Sequence, residues 1–211
     1  MTTVIAFLSQ KGGVGKSTLA RALGREAAAG GLSVKIADLD PDQGTIIDWH
    51  RTRTARGLDP VVPVELFRTA AQALAGAERY DLFIIDGPAK ASASTLEIAR
   101  RANLIVQPTG ASADDLRPAI RVFHGLVKEQ IPKSSLTFAL NRIATESEAT
   151  AARAYVEDAG YTALPGYLPE RAAYRQAQSE GFSVTETRYH GLKERADALI
   201  QCLIDKVTSN G

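Results

Sequence analysis

Residues 11–18 read Lys-Gly-Gly-Val-Gly-Lys-Ser-Thr and follow at once on the apolar run Val4-Ile5-Ala6-Phe7-Leu8. Such a pairing leaves little freedom of fold: it is a glycine-rich loop set between a buried strand and a helix. Gly12, Gly13 and Gly15 lack a Cβ, so the backbone can curl with its N–H groups turned into one concavity, a cradle for phosphate oxygens. A helix beginning near Lys16 adds its positive end to that cradle. Lys16 supplies a point charge for the terminal phosphates, and the Ser17 hydroxyl is placed to ligate Mg2+. The common form of this loop, G-x-x-x-x-G-K-[ST], fails here because its first glycine would fall on Gln10. What fits is a variant carrying a second lysine, Lys11, five residues before Lys16. The plainer alternative for Lys11 is a solvated surface lysine.

The rest of the chain alternates. Apolar strand-like runs lie at 3–8, 34–39, 61–67, 82–85, 104–107 and 136–140, with a short seventh near 161–164. Amphipathic stretches between them predict helices at 16–29, 43–54, 69–77, 93–102, 113–130, 146–159, 170–180 and 191–207. Several of the apolar runs are unbroken, as expected when helices cover both faces of a parallel sheet. The chain has no internal repeat, low-complexity tract or linker, so residues 1–211 are expected to form a single domain. The predicted class is α/β, a doubly wound, mostly parallel sheet flanked by helices, with ligands at the carboxyl ends of the strands.

Those strand ends carry the remaining chemistry. The second strand runs into Asp38-Leu39-Asp40-Pro41-Asp42-Gln43-Gly44, and carboxylates there can hold Mg2+ or orient an attacking water. A simple Asp-Pro-Gly turn is the alternative. Tyr80-Asp81-Leu82-Phe83-Ile84-Ile85-Asp86 is an apolar strand closed by a carboxylate that would reach the Mg2+ shell. Asn141-Arg142 ends another strand; an amide offers a donor and an acceptor together, which suits the paired edge of adenine, although Asn is also a common cap or turn former. His50, His124 and His190 lack metal-ligand spacing. Cys202 sits at helical spacing among Leu199, Ile200, Leu203 and Val207, as a core residue does, and Ser112 with Asp115 reads as a helix cap.

Taken in this order, the motifs resemble those of the deviant Walker A ATPases, the ParA/MinD family, whose signature is Lys-Gly-Gly-x-Gly-Lys-[Ser/Thr]. The resemblance covers nearly the whole chain and implies ATP and Mg2+ as cofactors. It implies that Gly12, Gly13, Val14, Gly15, Lys16, Ser17 and Thr18 bind the phosphates. It also implies that Lys11 reaches the nucleotide of a second protomer, so that two chains sandwich two ATP molecules. Asp40 would position the hydrolytic water, Ser17, Asp38 and Asp86 would surround the metal, and Asn141 with Arg142 and Pro169 would enclose the base. Two departures stand out: Asp42 intervenes between Pro41 and Gln43, and Gly87 replaces the usual residue after the Asp86 carboxylate, which suggests a looser loop.

Bulk properties narrow the choice among relatives. A net charge of +1, from 25 basic and 24 acidic residues, leaves any nucleic-acid binding to a local patch. A single cysteine excludes an internal disulfide, fits a reducing cytosol and cannot supply the cluster ligands of the iron-protein branch. No apolar run approaches 18 residues, and no signal or lipidation motif is visible. The last helix leaves no bulky apolar face for a MinD-like membrane anchor. The expectation is therefore a short ParA-type ATPase, cytoplasmic and nucleoid-associated, that dimerises with ATP. It would bind DNA non-specifically through Arg171, Arg175, Arg188, Lys193 and Arg195 and be triggered by a ParB-like or other activating partner protein. A solvated basic face paired with Glu170, Glu186 and Glu194 is the alternative for those five residues. A MinD-like positioning ATPase, or a metabolic ligase of the dethiobiotin synthetase type, is the runner-up.

Overall fold

The structure, a computed structural model, describes residues 2–40, 44–88 and 93–209. Seven strands, β1 (Thr3–Phe7), β2 (Val34–Asp38), β3 (Val64–Leu66), β4 (Leu82–Asp86), β5 (Leu104–Thr109), β6 (Leu136–Ile143) and β7 (Ala163–Pro169), form one sheet in the order β3-β2-β4-β1-β5-β6-β7. Every pairing is parallel. The helices are α1 (Lys16–Ala29), α2 (Thr45–Ala55), α3 (Ala70–Leu74), α4 (Ala93–Arg101), α5 (Ala113–Lys128), α6 (Glu146–Asp158), α7 (Ala172–Ser179) and α8 (His190–Ser209).

Two apolar layers explain the unbroken apolar runs. Along β1, Val4, Ala6 and Leu8 face a core shared with α3, α4, α5 and α6, while Ile5 and Phe7 face a second core shared with α1, α2 and α8. Because both faces are covered, neither set of alternating positions is free to be polar. A large apolar side chain buried this way stabilises the fold by roughly 1.5–3 kcal/mol.

The alternation read from sequence matches this architecture element by element, with three differences. The seventh strand is Ala163–Pro169 rather than 161–164, and so runs through Pro165. It is the sheet's edge, paired on one side only, and there a proline that cannot donate to a ladder is tolerated. The third strand shrinks to three residues, with Val61 65% exposed beyond the other edge. Helix α3 stops at Leu74 and is followed by a separate 3-10 turn at Ala77–Arg79. The expected start of α2 at Gln43, and the extra Asp42, lie outside the described residues.

A candidate nucleotide site at the strand ends

Helix α1 opens on Gly15, whose φ of 109° lies in the left-handed region, and its first turn carries no acidic residue. By contrast α5 and α6 begin with Asp114 and Asp115, and with Glu146 and Glu148. The start of α1, bare of carboxylates, is the one that borders the glycine loop, where an anion would gain from the free N–H groups. The cradle itself is a cavity of about 140 Å3 whose walls include Gly13, Lys16, Ser17, Asp38, Asp40 and Asp86. Lys16 is 8% exposed.

Strand register brings the two carboxylates together: Asp38 and Asp86 are paired positions on β2 and β4, and Phe7 pairs with Asp86 from β1. Ser17 Oγ donates to Asp86 Oδ2 at 2.6 Å, and the backbone N–H of Asp40 donates to Asp38 Oδ1 at 2.9 Å. The two remaining oxygens, Asp38 Oδ2 and Asp86 Oδ1, are buried with no hydrogen bond. Two orphaned carboxylate oxygens beside a serine hydroxyl are the hard donors that Mg2+ accepts, and an ion that keeps water and phosphate ligands needs no more from the protein. The site therefore fits the metal.

Burial pushes the Asp86 carboxyl up to about 7, against the opposing pull of the Ser17 hydroxyl and Lys16, and pushes Asp38 upward as well. A folded-state pKa raised above the unfolded 3.8 means that the native protein holds the proton more tightly. This contribution to stability is complete below about pH 4 and is lost as pH rises through about 7. Thermal melts of the metal-free protein across that window are expected to fall with pH, by an amount on the order of a few kcal/mol. Asp86→Asn is expected to flatten that part of the profile, and Mg2+ to restore stability at the neutral end.

The loop is held from its far side by β6. Asn141 Nδ2 donates to the Val14 carbonyl at 2.7 Å, and Arg142 Nη1 donates to the Gly13 carbonyl at 3.2 Å. A Cβ on Gly15 would lie 1.8 Å from Asn141 Nδ2, so glycine is required there for space as well as for φ. Arg142 itself has φ of 59°, a left-handed conformation costing a non-glycine residue roughly 1–3 kcal/mol. It lies within the register shift of β6 against β7, where the strand turns both side chains toward the loop. Asn141, Pro169, Arg171, Tyr174 and Arg175 border an adjoining cavity of about 230 Å3. Asn141 thus borders that cavity and spends one donor on the phosphate loop.

Lys11 points elsewhere. Its Nζ is paired with Asp115 in the first turn of α5, and Asp115 also accepts from Ser112 Oγ at 2.7 Å. The pair lies in an open hollow of about 490 Å3 bordered by Arg142, Glu148 and Glu170, separate from the phosphate cavity. Ser112 caps α5 as expected, and Asp115 in the first turn gains a second role.

Gly87 itself is tightly held, while residues 89–92 of the loop that follows lie outside the described residues. Gly87 is buried, its N–H donates to the Phe7 carbonyl at 3.0 Å, and a Cβ would meet Leu8 Cδ2 at 2.4 Å. The missing side chain makes that turn tighter, because β1 and the end of β4 close on it.

All five basic residues singled out near the carboxyl end are exposed. Arg171 and Arg175 border the cavity beside Asn141; Arg188 lies on Tyr189 near Glu180 and Phe182; Arg195 stacks on Tyr167 of β7. Glu170 pairs with Arg175 and Arg142, whereas Glu186 is engaged by Arg53 and Arg25, and Glu194 by His190. Of the suggested carboxylate partners, Glu186 is thus taken up by other arginines, while Glu170 is shared between Arg175 and Arg142.

Fold and site together define a phosphate-loop nucleotide-binding domain with two lysines in its loop. Residues 5–184 match the CobQ/CobB/MinD/ParA nucleotide binding domain, and the chain belongs to that family. It is 31% identical over 196 residues to the maintenance of carboxysome distribution protein A of Gloeobacter kilaueensis, covering 90% of this chain and 88% of that one. The fold is also that of a plasmid partition protein of Borrelia burgdorferi solved with AMPPNP, with a TM-score of 0.75 and 15% identity, covering 98% of this chain and 100% of the other. MinD of Pyrococcus horikoshii, solved with Mg-ADP, superposes with a TM-score of 0.73 at 18% identity, covering 100% and 99%.

Proposed function

We propose that this chain is a ParA-type ATPase that binds Mg-ATP, dimerises around it and hydrolyses it to position a cargo inside the cell. The observation that carries this reading is the division of labour between its two loop lysines. Lys16 is buried at the phosphate cavity, while Lys11 lies in a separate exposed hollow against Asp115. A lysine of the signature loop that does not face its own cavity is suited to the phosphates of a second copy.

In that reading Gly12, Gly13, Val14, Gly15, Ser17 and Thr18 hold the phosphates with Lys16, while Asn141, Arg142 and Pro169 flank the base. Ser17, Asp38 and Asp86 would hold the metal, which supplies charge neutralisation of the phosphates when bound. Asp40, at the cavity wall, orients the attacking water. Hydrolysis is slow until an activating partner protein engages the dimer.

DNA is bound without sequence preference, by phosphate neutralisation at Arg171, Arg175, Arg188, Lys193 and Arg195. The apolar residues of α8, Ala196, Leu199, Ile200 and Leu203, are buried in the core, which favours a nucleoid surface over a membrane as the place of action. No described helix is long and apolar enough to cross a membrane. Kinship with a carboxysome distribution protein supports cargo positioning as the biological task.

The test is Lys11→Ala, followed by light scattering and DNA retention with a slowly hydrolysed ATP analogue. The wild-type chain is expected to shift from monomer to dimer and to bind DNA only then. The variant is expected to keep nucleotide affinity within a few-fold while losing both the dimer and DNA. A Lys11→Ala chain that still dimerises would remove the sandwich reading, and turnover that requires a small carboxylic acid would favour a ligase.

A further inference from the structure

Arg21 lies one helical turn beyond Ser17, on the side of α1 that faces the phosphate cavity, and is 6% exposed. Its Nη1 donates to Gln178 Oε1 of α7 at 3.0 Å, and its Nη2 donates to the carbonyl of Thr45, the first residue of α2. Its Nε is buried with no hydrogen bond. Its guanidinium lies 5.6 Å from the Trp49 ring centroid, as does that of Arg53, so two guanidinium groups stack on one indole. The charged groups acting on it from the strands are Asp38 and Asp86.

The elements Arg21 touches are themselves locked together. Trp49 Nε1 donates to the Phe182 carbonyl at 2.9 Å. Arg53, 1% exposed, donates to the Gly181 carbonyl at 3.1 Å and forms a two-pronged pair with Glu186 at 2.8 and 3.1 Å. The backbones meet closely here: a Cβ on Gly181 would lie 2.8 Å from Arg53 N. Helix α2 and residues 181–186 therefore behave as one packed unit, and Arg21 joins it to the phosphate cavity beside Thr45, which also lines that cavity.

We propose that Arg21 is a positioning residue that couples occupancy of the phosphate site to the placement of α2 and the segment after α7. The proposal rests on the nucleotide reading above. With the site empty, the guanidinium feels Asp38 and Asp86 as counter-charges, as Lys16 does Asp86. Asp38 and Asp86, were they to hold a divalent ion, would offer less of their charge to the guanidinium, in surroundings where that change is poorly screened. The balance of forces on Arg21 then differs between the empty and loaded sites. Because its two Nη atoms hold α2 and α7, the difference is passed to residues 49–55 and 180–183.

Amide hydrogen exchange tests this with and without Mg2+ and a slowly hydrolysed ATP analogue. In the wild-type chain, exchange is expected to slow at residues 11–20 and, by about fivefold or more, at 49–55 and 180–183. Arg21→Gln is expected to keep the first response and lose the second. Arg21→Lys keeps the charge but lacks the fork that spans both acceptors, and is expected to recover part of the second response. Wild-type protection at 49–55 and 180–183 in both variants would overturn the proposal. Should Arg21→Gln fail to fold, a full wild-type response in Arg21→Lys would overturn it alone. A wild-type chain with no protection at 11–20 would instead overturn the nucleotide reading on which the proposal rests.

Discussion

Lys16→Ala is expected to lose Mg-ATP binding by more than a hundredfold, a cost of about 3 kcal/mol or more. The size of the effect follows from where the residue sits. Lys16 is the first residue of α1 and 8% exposed, so in the proposed reading its ammonium would meet the phosphates where water cannot replace it. Removing it strands phosphate charge in a cavity already lined by Asp38, Asp40 and Asp86. Thermal shift is a sufficient readout. ATP at a hundred times its dissociation constant stabilises a binding protein by about 2.7 kcal/mol, and the variant is expected to show none of that gain. An ATP-dependent shift of wild-type size would exclude Lys16 as the phosphate partner.

Asp40→Ala is expected to behave in the opposite way, keeping nucleotide affinity within a few-fold while turnover falls by about 10²–10⁴. The backbone around Asp40 is fixed at both ends: its N–H donates to Asp38 Oδ1 at 2.9 Å, and its carbonyl accepts from Gly44 N at 3.0 Å. The half-buried side chain is thus held at the cavity wall by groups the substitution leaves intact. Loss of a group that orients water changes kcat, whereas loss of a phosphate contact changes affinity. Single-turnover hydrolysis alongside equilibrium binding separates them. Loss of turnover in Asp42→Ala but not in Asp40→Ala would move the catalytic role by two residues along the loop.

Much of this protein was legible before any coordinates. The unbroken apolar runs identified a sheet covered on both faces, and the alternation of helical and strand periods identified its parallel sense. The loop at 11–18 followed from residue chemistry alone, since glycine spacing, a lysine and a hydroxyl in that order have few other uses. Where the reading failed, a non-local contact had overridden a local signal. Pro165 looked like the end of a strand and is inside one, because the partner that would have needed its N–H is absent at the sheet's edge. Gly87 looked permissive and is confined, because Leu8 and the Phe7 carbonyl press on it from another strand.

The sequence by itself determined the class of fold, the order of the strand-end motifs and the glycine loop that opens α1, since these rest on periodicity and on backbone freedom that each segment carries within itself. Tertiary structure alone decided how those residues are connected. Lys11 rests on Asp115, 104 positions away; Asn141 holds the Val14 carbonyl across 127; Arg21 reaches Gln178 across 157. A charged residue on the buried side of α1 was visible in the sequence, but its partners were not. Burial makes such a group costly unless it is paired, and which groups come within reach to pair with it is set by how the sheet stacks its helices.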